Sequence, residues 1–290
     1  MSQPNVTPRA PQDRILTGLV GRHIGASRSP WLHEREAQAQ GLALTYSLLD
    51  FAELGREEAD LCAELSAAAK SGYAGLNITH PYKQAVIRCL DELAPSAERV
   101  SAVNTVKFAD GKRIGHNTDV VGFAESMRNG LPNAALGSVL QIGAGGGGAA
   151  TAQALLDLGV ATLLICDQDR ARAKALVGKL TVTFGANRAL LTDDPLLVID
   201  GVDGIVNATP MGMVGTPQPP FDTSRLSPRH WVADIVYFPL ETQLLRDARR
   251  CGCRTLDGSG MVVHQAAAAF EIFTGRKADR SRMLRSFIEY

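Results

Sequence analysis

The sequence predicts an α/β protein of two domains, an N-terminal α/β domain and a doubly wound one that follows it. Three observations carry this. Short apolar runs alternate with helical patterns along most of the chain, as in layered α/β folds. The stretch from Val139 to Asp167 reads as apolar run, glycine-rich turn, alanine-rich helix, second apolar run and acidic residue. The strands before it lack any such glycine turn, so they form a separate domain, and 290 residues suffice for two cores.

The glycine turn is the most informative stretch. Gly143-Ala144-Gly145-Gly146-Gly147-Gly148 fits G-x-G-x-x-G between a strand and a helix, the fingerprint of a dinucleotide-binding Rossmann-type unit. Gly143 allows the tight turn out of the strand, Gly145 lets backbone amides approach a pyrophosphate, and Gly148 lets the helix pack close. The helix N-terminus adds unpaired N–H groups and a positive dipole end. Asp167, about 20 residues on, suits the adenosine ribose hydroxyls. Its carboxylate repels a 2′-phosphate, which predicts NAD over NADP, although Arg170 and Arg172 are close by.

In chain order, Ile15 to Val20 is a strand and Gly25 to Pro30 a polar loop whose proline can open a helix. Trp31 to Gln40 is helix, Leu44 to Leu49 strand, Glu57 to Ser71 helix and Tyr73 to Ile78 strand. Gln84 to Leu93 is helical in pattern. Val103 to Phe108 and Lys112 to Gly115 form a hairpin about Asp110-Gly111. A helix from Val121 to Leu131 crosses to the second domain, where strands recur at Val139, Leu163, Leu190, Gly204–Asn207 and Val232–Val236, with a short last one at Thr255-Leu256. Two helices, Met261 to Thr274 and Ser281 to Tyr290, close the chain. An open sheet binds its ligand beyond the carboxyl ends of its strands, so residues after Val206 and Val236 should share the crevice of the glycine turn.

Composition narrows the partners. Lys plus Arg equals Asp plus Glu at 30 each, which removes any electrostatic reason to expect nucleic acid or a membrane surface. No apolar run approaches a bilayer span. The five cysteines (Cys62, Cys89, Cys166, Cys251, Cys253) are odd in number and lie in largely apolar surroundings, so they are expected to be reduced thiols of a cytoplasmic protein. The six histidines show no metal-ligand spacing, and no metal is expected. Residues 1–13 are polar and carry three prolines, an expected flexible arm.

Five polar motifs occur in order: Asn77-Ile78-Thr79-His80-Pro81-Tyr82-Lys83, Ala102-Val103-Asn104-Thr105, Asn117-Thr118-Asp119, Asn207-Ala208-Thr209-Pro210-Met211-Gly212, and Gly260-Met261-Val262-Val263-His264-Gln265-Ala266. With them the chain resembles the shikimate dehydrogenase family from about Gly18 to the last helix. Asp167, His80-Pro81-Tyr82 and His116 make it most similar to the NAD-using quinate/shikimate branch. The resemblance implies an oxidoreductase that reversibly oxidises the ring hydroxyl of shikimate, quinate or both to the 3-dehydro ketone.

That chemistry needs a group to take the hydroxyl proton while hydride leaves, and a lysine beside a carboxylate can do so. By resemblance Lys83 and Asp119 hold these roles. Ser27 and Ser29 are implied to bind the substrate carboxylate with Tyr237 nearby, although both serines also suit a plain helix cap before Pro30. Asn77, Thr79, Asn104, Asp119 and Gln265 are implied to contact ring hydroxyls. Asn207, Thr209, Pro210 and Met211 line the nicotinamide pocket in the family, with Gly260 and Met261 opposite; Met261 suits core filling equally well.

The expected division is residues 14–120 plus 262–290 for substrate and 121–261 for NAD, in a monomer or homodimer. A relative acting on another amino- or hydroxy-substituted cyclohexane or cyclohexene carboxylate is an alternative. So is a non-catalytic NAD-binding regulator, against which the presence of both Lys83 and Asp119 speaks.

Overall fold

The computed structural model describes residues 14–290, so the predicted arm at 1–13 lies outside the described residues. Two six-stranded sheets organise it. The first is built from β1 (Ile15–Gly21), α1 (Ser29–Ala39), β2 (Leu44–Asp50), α2 (Leu61–Lys70), β3 (Tyr73–Ile78), β4 (Glu92–Leu93), α3 (Pro95–Val100), β5 (Thr105–Ala109) and β6 (Lys112–His116), with strand order β2-β1-β3-β5-β6-β4. Its β1, β2 and β3 run parallel, whereas β5 is antiparallel to both β3 and β6. The β5–β6 hairpin turns on Asp110 and Gly111, at φ 52° and 75°, the left-handed pair that a tight two-residue turn requires.

Helix α4 (Asp119–Gly130) leads to the second sheet. There follow β7 (Ser138–Ile142), α5 (Gly146–Asp157), β8 (Thr162–Cys166), α6 (Arg170–Phe184), β9 (Ala189–Leu191), β10 (Gly204–Asn207), β11 (Trp231–Asp234), α7 (Gln243–Arg250) and β12 (Arg254–Leu256). All its pairings are parallel, in the order β12-β11-β10-β7-β8-β9. Counted within this half, that is the doubly wound 3-2-1-4-5-6 arrangement, with its switch point between β7 and β10. Helices α8 (Ser259–Thr274) and α9 (Arg280–Glu289) return to the first half. There Val263, Ala266, Phe270, Met283 and Phe287 pack with Leu32 and Ala37 of α1 in one buried cluster. Glycines let α8 cross α4 closely: a β-carbon on Gly122 would meet Met261 O at 2.8 Å, and one on Gly260 would meet Ser126 Oγ at 2.3 Å.

Two expectations are corrected. Gln84 to Leu93 is not a helix but a 3₁₀ turn at Ala85–Cys89 followed by β4. The strand partner wins over the helical pattern, because Asp91 N donates to Arg113 O at 3.0 Å and Ala94 N to Gly115 O at 2.8 Å. The cysteines are not all free either. Cys62 on α2 and Cys89 face each other with Cα atoms 5.0 Å apart and form a disulfide, while Cys166, Cys251 and Cys253 stay free. An odd count and apolar surroundings carry no information about which helical faces meet. No helix among the described residues is long and apolar enough to cross a membrane.

Candidate active site

The glycine turn sits at the switch point. Gly143 has φ 106°, and a β-carbon there would lie 2.5 Å from Ala208 O, so only glycine fits. On Gly148 it would lie 2.3 Å from Gly143 O, which is the close helix–strand approach expected of the last glycine. Gly145, by contrast, faces open space, with nothing within 4 Å of such a carbon. This is the cradle that a pyrophosphate needs, at the N-terminus of a 12-residue helix. Asp167 follows β8; its carboxylate accepts from Ala144 N at 2.7 Å and Asp169 N at 2.8 Å, which fixes it against the turn.

Two residues that the sequence reading did not single out brace this half. Gln141, fully buried in β7, donates from Nε2 to Gly143 O (2.9 Å) and Gly148 O (2.8 Å) and accepts from Thr151 Oγ1. Asp234, at the end of β11, accepts from Asn207 Nδ2 (2.9 Å), Val236 N (3.0 Å) and Thr242 Oγ1 (2.8 Å). Burial pushes its carboxyl up to about 6, and those three donors pull the other way. Asn207 in turn accepts Thr209 N and Oγ1 and donates to Met211 O, so the loop after β10 is shaped by one buried amide. Pro210 is exposed in that loop. Met261 is buried in the core cluster that contains Phe123 and Val206.

In the first half, Lys83, Asp119, Asn104, Gln265 and Asn77 form one hydrogen-bonded chain, which Ser27, Ser29, Thr79 and Tyr237 do not join. Lys83 Nζ donates to Asp119 Oδ2 at 2.6 Å, with Lys83 partly exposed and Asp119 buried. Asn104 Nδ2 donates to Asp119 Oδ1 (2.9 Å) and approaches Gln265 Oε1 at 3.4 Å. Thr105 Oγ1 links Asn104 to Asn77, accepting from Asn77 Nδ2 at 2.9 Å and donating to Asn104 Oδ1 at 3.0 Å. Asn77 Oδ1 then accepts the Tyr46 hydroxyl at 2.8 Å. Tyr46 is buried on β2 against the His33 ring, 4.7 Å between centroids, and is a third residue that the sequence reading passed over.

Backbone bonds set the frame. Thr79 N donates to Val20 O, Tyr82 N to Thr79 O and Val103 N to Lys83 O, so the lysine loop is tied to β1 on one side and to the segment before β5 on the other. Ser27 Oγ donates to Ser29 Oγ at 3.2 Å and accepts from Ser29 N, at the first residue of α1, at 3.3 Å, while the N-cap residue Arg28 makes no side-chain cap bond. Tyr237 is partly exposed, and its phenol is pushed up by burial and drawn down by the charges of Lys83 and Arg28.

The two halves meet at Lys83. Its Cβ and Cδ lie 3.6 Å from where a β-carbon on Gly146 would stand. Among the described residues no cluster of His, Cys, Asp or Glu could hold a metal ion.

Comparison with known proteins agrees with this geometry. Residues 19–106 match the model of the shikimate dehydrogenase substrate binding domain, and residues 258–286 that of the shikimate 5′-dehydrogenase C-terminal domain. The chain is 51% identical over 280 residues to a shikimate dehydrogenase (NADP(+)) of Streptomyces avermitilis, covering 96% of each chain. It is 48% identical to a quinate/shikimate dehydrogenase (NAD(+)) of Corynebacterium efficiens, over 95% of this chain and 98% of that one. The solved quinate dehydrogenase from Corynebacterium glutamicum in complex with NAD superposes with a TM-score of 0.90 at 47% identity, over 96% of this chain and 99% of that one. With this identity over nearly its whole length, and a glycine cradle facing a lysine–aspartate pair, the chain belongs to the shikimate dehydrogenase family of pyridine-nucleotide-dependent oxidoreductases.

Proposed function

We propose that this protein reversibly oxidises a ring hydroxyl of shikimate, quinate or both to the 3-dehydro ketone, with NAD as its dinucleotide. The observation that carries the reading is Lys83 Nζ held 2.6 Å from Asp119 Oδ2, on a side chain packed against the first residue of α5. A nicotinamide dinucleotide seated on the glycine turn supplies the hydride acceptor for this chemistry. Gly143 to Gly148 with Asp167 would hold its pyrophosphate and ribose, and Asn207, Thr209, Pro210 and Met211, with Gly260 and Met261, would form the wall beyond.

The chain's own residues handle the proton. In the oxidising direction the uncharged Lys83 amine takes the hydroxyl proton and becomes the ammonium paired with Asp119; in the reducing direction that ammonium returns it. Asn104, whose amide donors go to Asp119 and Thr118, keeps that carboxylate pointed at the lysine. Asn77, Thr79 and Gln265 bind ring hydroxyls, and Ser27, Ser29 and Tyr237 bind the carboxylate. Asn77 has both amide hydrogens engaged, by Asn104 O and Thr105 Oγ1, so it meets a substrate hydroxyl as an acceptor.

The preference for NAD rests on the surroundings of Asp167. Arg170 is paired with Asp193 at 2.6 Å, and Arg172 lies 3.7 Å from Asp167 and 3.2 Å from Asp169. Both arginines beside the end of β8 thus already have carboxylate partners. The joint packing of α8, α9 and α1 supports residues 14–120 plus 262–290 as the substrate half, with 121–261 as the nucleotide half. The test is a panel of NAD and NADP against shikimate and quinate. The reading expects kcat/KM with NAD to exceed that with NADP by at least about tenfold, since carboxylate–phosphate repulsion is of that order. Equal use of both cofactors would contradict the role given to Asp167.

A further inference from the structure

Resting on the function proposed above, one charge next to the two serines has no assigned work. Arg28 stands between Ser27 and Ser29, at the N-cap of α1. Its Nη1 donates to Phe287 O at 2.9 Å, and its guanidinium lies 4.8 Å from the Phe287 ring centroid and 5.2 Å from that of Tyr290. The C-terminal helix therefore holds this side chain in place, helped by Trp31 Nε1, which donates to Ser286 O at 2.9 Å. Among the described residues Arg28 forms no ion pair, whereas Lys83 is neutralised by Asp119. The substrate is an anion, and the groups assigned to its carboxylate, Ser27, Ser29 and Tyr237, are neutral hydroxyls.

We propose that Arg28 is the specificity-determining charge for the substrate carboxylate, acting through space from behind Ser27 and Ser29 rather than by direct contact. A cation already fixed by a backbone carbonyl and two aromatic faces loses little side-chain freedom when the anion arrives. Its influence on the Tyr237 phenol, shared with Lys83, is consistent with a field that reaches the pocket. Such a charge favours the carboxylate over its neutral derivatives and lowers KM without entering the chemical step.

The experiment compares wild type, Arg28→Met and Arg28→Lys, using NAD with shikimate and with its methyl ester as substrate or competitive inhibitor. Arg28→Met should raise KM for shikimate about tenfold at low ionic strength, as expected for one partly screened charge. It should leave kcat within about twofold and the KM or Ki of the ester unchanged, because an uncharged ligand feels little of the field. Arg28→Lys should stay near wild type, and the Met defect should shrink toward about 0.5 M salt. An equal loss for acid and ester, or an unchanged KM for shikimate, would overturn the inference. Should Arg28→Met fail to fold, wild type alone decides: its kcat/KM for shikimate must fall with salt while its kinetics with the ester do not, and matched salt profiles overturn the inference. A wild type that turns over neither shikimate nor quinate overturns the functional reading, and this inference with it. A normal wild-type rate with an unaltered variant overturns the inference alone.

Discussion

Lys83 packs its aliphatic stem against Gly146, with Cβ and Cδ 3.6 Å from the point a β-carbon on that glycine would occupy. Gly146 is the first residue of α5, so the lysine stem of one half lies directly against the glycine turn of the other. The Lys83–Asp119 pair and the glycine turn are thus neighbours, although they belong to different halves of the chain.

The glycines of the turn should separate by function. Gly145→Ala meets open space at an ordinary φ of −72°, so the variant should melt with wild type while its Kd for NADH rises at least about tenfold from the blocked amide approach. Gly143→Ala forces a β-carbon onto Ala208 O at φ 106° and should cost about 2 kcal/mol or more. Thermal melts and NADH fluorescence titrations on the two proteins check both expectations. Equal melting temperatures would contradict the strain assigned to Gly143.

Tyr46→Phe removes the donor that fixes Asn77 Oδ1. The loss of one buried hydrogen bond should cost about 1–2 kcal/mol in stability. A freed Asn77 amide should also raise KM for the cyclic acid more than it lowers kcat, because the proton-transfer pair is untouched. Steady-state kinetics and denaturant melts separate the two effects, and a variant that lowers only kcat would count against the positioning role.

Asp234 predicts a pH dependence. Its carboxyl is raised from 3.8 to about 6 by burial, so the stability it adds is complete below pH 3.8 and is lost as pH rises through about 6. Asp234→Asn cannot ionise and lacks this dependence. The stability of wild type relative to the variant should therefore fall by about 2 kcal/mol between roughly pH 4 and pH 7. Urea midpoints at several pH values measure it, and a difference that stays flat would show that the carboxylate is not penalised by burial.

What was legible in the sequence follows from how locally each feature is determined. Gly143, Gly148 and Asp167 answer needs of one βαβ unit: Gly143 turns at positive φ, Gly148 sits against Gly143 O, and Asp167 just after β8 accepts from Ala144 N. The pairing of Lys83 with Asp119 came from motif resemblance, since nothing in their spacing says that the loop after β3 lies beside the start of α4. Gln141, Asp234 and Tyr46 were missed because each is a single polar residue in or ending a strand, whose partner lies on another segment. The segment before β4 was misread for a related reason: Arg113, on a neighbouring strand, holds Asp91 with two side-chain bonds of 2.9 Å, and local periodicity does not record that capture. The Cys62–Cys89 bond spans 27 residues and depends on the same kind of distant packing.

The most direct measurement is single-turnover NADH formation by Lys83→Ala with saturating NAD and each acid, beside an NADH titration of the same variant. With the amine gone, the account predicts a rate at least about a hundredfold below wild type and an unchanged Kd for NADH, since the glycine cradle is intact. A variant that keeps most of the wild-type rate would place proton transfer elsewhere and contradict the account at its centre.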